Sequence, residues 1–466
     1  MVGLSRSASK GRSQMSSDAD VERKSRWLGL DSARRVRERL SNVLRRHGLI
    51  AFFSLQVVGL TFLQKFAVQF DATIFGVYIS VGAVQLALPL FYLGLLALFA
   101  FARPKVDIIR VALFSVFIVS VVISLALASA SYSQSSVLLM VACYLPFIFT
   151  VEVNASTYRR MMQVYLNIMI FMGAIVLVQQ VTQNIWSWRV WPNLNTLVSP
   201  EFLLPGFNYI QPIIYGSNFM KPHGVFFLEV STVSQFIAVA FAIEMIYFRR
   251  LWRLIYYVVV LLATFAGTGP LLLLLCAPVL LAKLSWRTVL VVAVIFGIGY
   301  VAADKLQWYQ QVHGRLTEYE TTNSSAHLRF VDPLEDLVSA VSKPQGVLTG
   351  IGPGNTAKDD GTVSWAATKV AVEYGLLALV AFSGFVGYVL LKDAPSKRLA
   401  FVLLVFFNFM GGGIVIPIYP IMIFLMGGLF RVKSSRRQGQ AGERTVADEV
   451  EAAPWGLRVL PGAVKA

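Results

Sequence analysis

The stretch KPHGVFFLE, from Lys221 to Glu229, combines two kinds of reactive side chain. Lys221 and His223 come just before a glycine, and Glu229 lies in the apolar run that follows. A carboxylate or an imidazole can accept a proton from a reacting hydroxyl, and cations stabilise an anionic leaving group. An ionisable residue in a membrane-spanning segment costs roughly 2.5–3.5 kcal/mol on insertion scales, so it usually faces a cavity or a partner. This stretch is therefore a candidate active site; the alternative is an ion pair that fixes a loop to a helix end.

Long apolar runs are the elements that must position this stretch. The chain has 466 residues, of which 56% are hydrophobic and 14% charged, and its mean hydropathy is +0.65. This composition excludes an ordinary soluble globule. Since a bilayer core needs about 20 apolar residues per helix, the runs predict an all-α polytopic membrane protein with about 12 transmembrane helices. The runs begin near Leu49, Gly82, Asp107, Gln134, Met161, Val225, Leu254, Thr268, Arg287, Trp365, Arg398 and Ile416.

The positions of the basic residues predict the orientation of these helices. Most of the 41 lysines and arginines fall in the two terminal segments and in alternate short loops, and cytoplasmic loops are the ones that retain positive charge. We therefore expect a basic cytoplasmic arm (1–48), a membrane domain (49–430) and a cytoplasmic tail (431–466), with two large outer loops at 183–224 and 303–364. The net charge of +16 then indicates topology and contact with anionic lipid, and no nucleic acid partner is expected.

This topology places Glu229 close to the outer surface. It comes five residues after the glycine, so it should lie about 7 Å down the predicted sixth helix, with Lys221 and His223 above it at the mouth. His313 and His327 also fall in the outer loops. Because no H-x-x-H or H-E-x-x-H spacing occurs, no metal site is predicted.

Arginines in the outer loops are candidate ligands for a diphosphate. Arg189 lies in the first loop, and Arg315 and Arg329 lie in the second. The guanidinium fork matches phosphate geometry, although a solvated surface arginine is the alternative for each of them.

Two further patterns in the second half of the chain are interpreted as structural. GIGPGN, at 350–355, lacks the Lys-Ser/Thr ending of a phosphate loop and predicts a turn that returns the loop to the membrane. Lys369 and Glu373 have i, i+4 spacing on a helix, which favours a structural ion pair.

Several segments together resemble one family of membrane enzymes. KPHGVFFLEVSTVSQFIAVAFAIE is similar to the Gly, Glu and Ser pattern that opens a helix in bacterial Wzy-like polysaccharide polymerases and the related O-antigen ligases. ATFAGTGPLLLLL resembles a Ser/Gly-Thr-Gly segment of that superfamily. SSAHLRF, GVLTGIGPGNT and EYGLLAL resemble its large periplasmic loop and return helix. The chain departs from the pattern where KPH replaces a frequent arginine, and where the His-Asn pair of many ligases is absent. The second departure argues against a ligase.

The resemblance implies an inverting glycosyl transfer between polyprenyl-diphosphate-linked oligosaccharides, on the periplasmic face of the bacterial inner membrane. It implies no cofactor, because the donor sugar is already activated. Flippase and chain-length regulator proteins of the same pathway would be partners. The implied site residues are Glu229 or His223 as the base, Lys221, Arg189, Arg315 and Arg329 as diphosphate ligands, and Trp186, Trp188 and Trp191 as sugar-stacking groups. For the tryptophans, an interfacial aromatic belt is the alternative.

Two other functions stay open at this point. An O-antigen-type ligase would transfer lipid-linked glycan to an acceptor. A secondary transporter would also have about 12 helices, interrupted segments and a buried carboxylate. Against a transporter, the chain shows no internal repeat, and Glu244, the other carboxylate of the sixth helix, falls near its cytoplasmic end and away from the midplane.

Overall fold

The computed structural model describes residues 43–74, 77–127, 132–207, 210–213, 218–282, 327, 331–342, 344–356, 365–392, 394–410 and 413–432. The chain divides into two units, Met1–Ala51 and Phe52–Ala466. The candidate site lies wholly within the second unit. Most of the predicted cytoplasmic arm and of the C-terminal tail lies outside the described residues.

Most of the described residues are helical. A helix lies at each predicted apolar run except the one near Arg287, which is outside the described residues. The α-helices are α1 Val43–Phe62, α2 Ala87–Ala102, α3 Ile108–Leu127, α4 Gln134–Tyr144, α5 Ala155–Ile185, α6 Leu194–Leu197, α7 Val230–Tyr247, α8 Leu251–Ala263, α9 Thr268–Leu281, α10 Asp332–Ser342, α11 Pro344–Thr349, α12 Ala366–Leu391, α13 Lys397–Val405 and α14 Ile418–Ile423. Short 3₁₀ helices occupy Leu145–Ile148, Trp188–Val190 and Pro200–Phe202, and π-helical turns extend α13 and α14 over Phe406–Met410 and Phe424–Gly428.

Five of the described helices are long and apolar enough, by length and composition, to cross a membrane. They are α1, α3, α5, α7 and α12. Shorter apolar helices, among them α2, α8 and α9, accompany them. A bilayer about 30 Å thick selects helices of this length, so the chain is a membrane protein.

Short strands were not anticipated from the apolar runs. β1 (Ala67–Ile74) and β2 (Val77–Gln85) form an antiparallel hairpin between α1 and α2. The second predicted run begins near Gly82, which lies in β2, and the helix itself starts at Ala87. A short apolar run does not distinguish a strand from a helix, and the Val, Ile, Phe and Tyr content of this segment favours a strand.

A second, three-stranded sheet joins three distant segments. β4 (Phe149–Val153) pairs antiparallel with β3 (Lys105–Val106) and parallel with β5 (Phe430–Val432). Lys105 donates to Glu152 across this sheet at 2.8 Å. All three strands lie in or next to segments that the charge pattern assigns to one side of the membrane.

Helix α7 is the most enclosed of the five long helices. Of its most apolar 18-residue window, 89% is buried, and α5, α8, α9 and α13 all pack against it. A helix that is buried on every face belongs to the interior of a bundle. Gly269 allows α9 to approach closely, because a Cβ there would lie 2.5 Å from the backbone oxygen of Ser234.

Helix α12 is interrupted at Gly375, whose φ is 84°. The turn predicted from GIGPGN docks at this interruption, where the backbone N–H of Gly352 donates to the carbonyl of Glu373 at 3.0 Å. A Cβ at Gly350 would lie 2.4 Å from the Glu373 backbone, so this approach requires glycine. Lys369 and Glu373 form an ion pair at 3.3 Å. The predicted turn and pair are both confirmed.

Candidate functional site

The residues Met220–Glu229, here called the mouth segment, lead into α7 without regular secondary structure. A tight three-residue turn bends the segment, since the N–H of Phe226 donates to the carbonyl of Gly224 at 2.6 Å. Gly224 and Val225 both have positive φ, 65° and 61°. A β-branched residue in this region is a true outlier, and such strain persists only where surrounding contacts hold it.

Two glutamines of α5 hold the mouth segment from one side. The Oε1 atom of Gln179 accepts from the backbone N–H of Gly224 at 2.8 Å. One turn further along α5, the Oε1 atom of Gln183 accepts from the N–H of Met220 at 3.1 Å. Both glutamines are buried, so these bonds are shielded from competing water. Helix α5 therefore fixes the backbone on either side of Lys221 and His223.

Gln64 and Lys65, which follow the end of α1, also hold the mouth segment. The Nζ atom of Lys65 donates to the carbonyl of Val225 at 2.7 Å, and the Oε1 atom of Gln64 accepts from the N–H of Leu228 at 3.2 Å. Lys65 is 1% exposed, and this burial lowers its pKa to about 7. The strained carbonyl of Val225 is thus held by a buried amine.

His223 is neutral, and its tautomer follows from its hydrogen bond. The ring is 1% exposed, and its burial, reinforced by the positive charge of Lys65, lowers the pKa of His223 to about 3. Its Nδ1 atom accepts from the N–H of Val225 at 3.0 Å, so the single ring proton of the neutral form must reside on Nε2. Nε2 has no hydrogen-bond partner among the described residues. His223 is therefore a donor through Nε2 in this arrangement.

Glu229 stands at the start of α7, one residue before the helix. Its φ and ψ of −153° and 171° are extended, and its carbonyl accepts from the N–H groups of Thr232 and Val233. The prediction that Glu229 lies about 7 Å down a helix is wrong, because the mouth segment takes up the residues between Gly224 and Glu229 as turns. The half-buried carboxylate accepts from the Ser231 hydroxyl at 2.5 Å.

Lys221 is the second residue of the mouth segment. It is 8% exposed, and its own N–H donates to the carbonyl of Gln211 at 2.8 Å. The predicted cluster of Lys221, His223 and Glu229 therefore shares one short, well-anchored segment at the N-terminus of α7, where the helix dipole favours negative charge.

The predicted aromatic groups occupy three different environments. Trp186 is 72% exposed, and Trp188 is half-buried with the Arg189 guanidinium 6.0 Å from its ring centroid. Trp191 is buried, with its Nε1 donating to the carbonyl of Gln179 at 3.0 Å and its ring edge meeting His223 at a centroid distance of 6.1 Å. Trp188, Arg189 and Trp191 line an open cleft of about 380 Å³. Trp191 thus contacts both this cleft and the mouth segment.

The remaining predicted ligands are not placed by the structure. Arg315 and Arg329 lie outside the described residues. His327 is described, and its Nε2 atom lies 3.2 Å from the carboxylate of Asp332. Among the described residues, no three His, Cys, Asp or Glu side chains cluster as metal ligands would.

Lys65 and Gln179 contact the candidate site and were not predicted from the sequence. Lys65 carries one available signal, because it is a lysine at the predicted outer end of the first helix, where positive charge is depleted. Gln179 has no such signal: it is an uncharged residue inside an apolar helix, and its role depends on contact with a segment 45 residues away.

These features define a membrane protein with a polar, partly cationic site at one end of a buried helix. No protein family model, no curated protein and no solved structure matches the chain.

Proposed function

We propose that the protein is a polysaccharide polymerase, a membrane glycosyltransferase that joins polyprenyl-diphosphate-linked oligosaccharide repeat units. The proposal rests on the set of reactive side chains in the mouth segment. This segment holds a buried lysine, a half-buried carboxylate and a neutral histidine whose donor is unpaired among the described residues, all within nine residues at the positive end of α7. A reaction that needs a base and an anion site, but no metal or nucleotide, fits this set of groups.

Glu229 is the base that the geometry favours. In the neutral His223 ring, the nitrogen with the lone pair is already occupied by the N–H of Val225, and the other nitrogen carries a proton. Such a ring donates and cannot take up a proton without losing its backbone bond. The Glu229 carboxylate is half-buried, and its Oε1 accepts from the Ser231 hydroxyl. A carboxylate can take up a proton on either oxygen, so proton uptake does not require Glu229 to give up a backbone bond.

The transfer then proceeds as a single displacement. The hydroxyl of one repeat unit loses its proton to Glu229 and attacks the anomeric carbon of the donor sugar. The bond between that carbon and the diphosphate oxygen breaks, and its electron pair leaves with polyprenyl diphosphate. Lys221 and the Nε2–H of His223 would stabilise the charge that develops on the leaving group. Arg189 and the tryptophans around the cleft would contact the saccharide or the diphosphate further out.

We also propose the predicted topology of about 12 spans, with both termini in the cytoplasm and the loops 183–224 and 303–364 in the periplasm. The packing supports it, because segments assigned to one side contact each other. β3, β4 and β5 join three segments assigned to the cytoplasm. On the other side, the N–H of Ser133 donates to the carbonyl of Pro353 at 2.9 Å, and Gln180 donates to the carbonyl of Ala263. The bacterial inner membrane is the location that this reaction requires.

Deletion of the protein followed by analysis of lipid-linked sugars tests the function. Accumulation of single lipid-linked repeat units is expected for a polymerase. Lipid-linked polymer that is made but not transferred to its acceptor would instead identify a ligase. Unaltered glycans would refute both, and a transporter would then be tested by uptake in vesicles.

A narrower test addresses Lys221. Lys221→Ala should abolish polymer while the protein remains inserted and folded, because it removes a cation that the leaving diphosphate requires. Lys105→Ala is the matched control, since that lysine is exposed and pairs with Glu152 in the β3–β4 sheet. Equal polymer from the two variants would show that Lys221 is not part of the site.

A further inference from the structure

Two buried donor groups, one in the mouth segment and one on α5, lack hydrogen-bond partners among the described residues. They are the Nε2 atoms of Gln179 and His223, whose side chains are 3% and 1% exposed. Buried polar groups are nearly always paired in folded proteins, because leaving one unpaired is unfavourable. Gln179 bonds Gly224, the residue that follows His223, so both groups belong to one stretch of contacts and call for a partner that supplies acceptors.

The donor character of both atoms follows from their other hydrogen bonds. The backbone N–H of Gly224 points at one end of the Gln179 amide, so that end is the oxygen and the other end is the NH₂ group. The N–H of Val225 points at Nδ1 of His223, so Nε2 carries the proton. Neither assignment can be reversed without setting two donors against each other.

The buried amine of Lys65 contacts the same short stretch of backbone, residues 223–225. Gln179 bonds the N–H of Gly224, and Lys65 bonds the carbonyl of Val225 at 2.7 Å. Both contacts therefore fall on the two residues that follow His223. A ligand that meets amide, imidazole and ammonium donors together must present several acceptors, and negative charge is favoured by the amine. Phosphate oxygens have this chemistry.

We propose that Gln179 and His223 donate through their Nε2 atoms to the phosphate oxygens of a polyprenyl diphosphate, and that Lys65 supplies the positive charge that holds it. This inference rests on the proposed function and deepens it. Neither Gln179 nor Lys65 belongs to the segments that resemble the polymerase family. A buried water molecule could also satisfy the two donors, and the two occupants differ in their response to a negative charge placed at Gln179.

Gln179→Glu is the decisive variant. It keeps the Oε1 acceptor for Gly224 and converts the unpaired donor into an anionic acceptor of the same shape. The matched control is Gln183→Glu, one turn along α5. Gln183 likewise accepts a backbone N–H, from Met220, but its Nε2 already donates to the side-chain oxygen of Gln180. Both variants therefore add equal charge to the same buried helix face, and only one of them removes an unpaired donor.

Binding is measured on the purified full chain in phosphatidylcholine nanodiscs, with farnesyl diphosphate as the probe and farnesol as the control that lacks the diphosphate. The wild-type chain should bind farnesyl diphosphate and not farnesol. Gln179→Glu should weaken binding by at least about tenfold, the loss expected for a hydrogen bond to a charged group, and Gln183→Glu should weaken it clearly less. Equal affinities of the two variants, or no binding by the wild-type chain, would overturn the proposal.

Competition identifies the source of the phosphate. Inorganic pyrophosphate should displace farnesyl diphosphate, because it presents the same oxygens. Phosphatidylglycerol added to the nanodiscs should leave the affinity unchanged. If it competes as well as pyrophosphate does, the site holds a phospholipid headgroup and the diphosphate assignment is wrong.

A second pair of variants covers the case in which Gln179→Glu does not fold. His223→Gln can accept from Val225 through its oxygen and donate through its nitrogen, whereas His223→Phe can do neither. Binding that survives in His223→Gln and is lost in His223→Phe supports the donor role, and equal binding by the two contradicts it. These binding assays do not depend on polymer formation. Unaltered glycans in the deletion strain would refute the proposed function, and unaltered binding would refute the site.

Discussion

Exchanging each of the two carboxylates near the ends of α7, Glu229 and Glu244, for its amide should separate catalysis from folding. Glu229 and Glu244 lie at opposite ends of the same helix. Glu229 is half-buried, and its carboxylate accepts from Ser231 at 2.5 Å. The oxygen of a glutamine can accept the same bond, so Glu229→Gln should leave stability almost unchanged. Removal of a general base typically lowers the rate by about 10²- to 10⁴-fold, and polymer should fall accordingly.

The opposite result is expected for Glu244→Gln. Glu244 is fully buried, and Arg250 donates to both of its oxygens at 2.8 and 2.7 Å, while the Arg250 backbone N–H adds a bond of 3.0 Å. An amide loses one acceptor and turns a donor towards the guanidinium. Breaking a buried pair costs about 3–5 kcal/mol, and the lower figure applies because the Arg250 side chain is 31% exposed and can rehydrate.

The assay compares polymer per folded molecule with the melting temperature of the purified protein. Glu229→Gln should lose polymer and keep its melting temperature, and Glu244→Gln should melt lower and keep its polymer per folded molecule. The assignment of Glu229 as the base is refuted if its variant retains polymer within tenfold of the wild type. It is also refuted if both variants lose activity and stability in parallel, because Glu229 would then be another structural carboxylate.

Three further predictions concern stability. Arg110 is buried, and its Nη1 donates to three backbone carbonyls at 3.2, 3.1 and 2.8 Å, so Arg110→Met should destabilise the protein by about 2–3 kcal/mol and lower its melting temperature. Gly375→Ala forces a Cβ to 2.2 Å from the carbonyl oxygen of Leu348 at a positive φ, so this variant should melt well below the wild type. Gly387→Ala is the control: its added Cβ would have no atom from elsewhere in the described part of the chain within 4 Å, so this variant should melt at or slightly above the wild type. The pKa of Lys65 falls from 10.5 to about 7 on folding, so between these pH values the unfolded chain binds more protons than the folded chain. The stability of the folded state should therefore rise with pH across this window. Lys65→Met should flatten the corresponding rise in melting temperature.

The membrane helices could be predicted because their signal is local. An apolar run of sufficient length forms a helix in a bilayer whatever it packs against, since the backbone must satisfy its own hydrogen bonds there. The start of α4 at Gln134 and of α9 at Thr268 agrees with the predicted runs. The hairpin β1–β2 was missed because strands and helices share the same apolar residues over a short run, and pairing with a neighbouring strand decides between them.

The candidate site was predicted in part for the same reason. Lys221, His223 and Glu229 were found because they are close together in the sequence and unusual beside an apolar helix. Their roles depend on contacts that the sequence does not show. The bond between Val225 and Nδ1 makes His223 a donor, and the extended backbone puts Glu229 before the helix.

The sequence by itself determined that this is a membrane protein and that Lys221, His223 and Glu229 lie together near the start of the helix labelled α7. Hydropathy and charge act on each segment separately, so both features can be found without the fold. Only the tertiary structure decided which groups complete the site. Lys65 meets Val225 across 160 residues of chain, and Gln179 meets Gly224 across 45. Contacts over such distances arise from the packing of α1, α5 and α7 in three dimensions, and no local pattern encodes them.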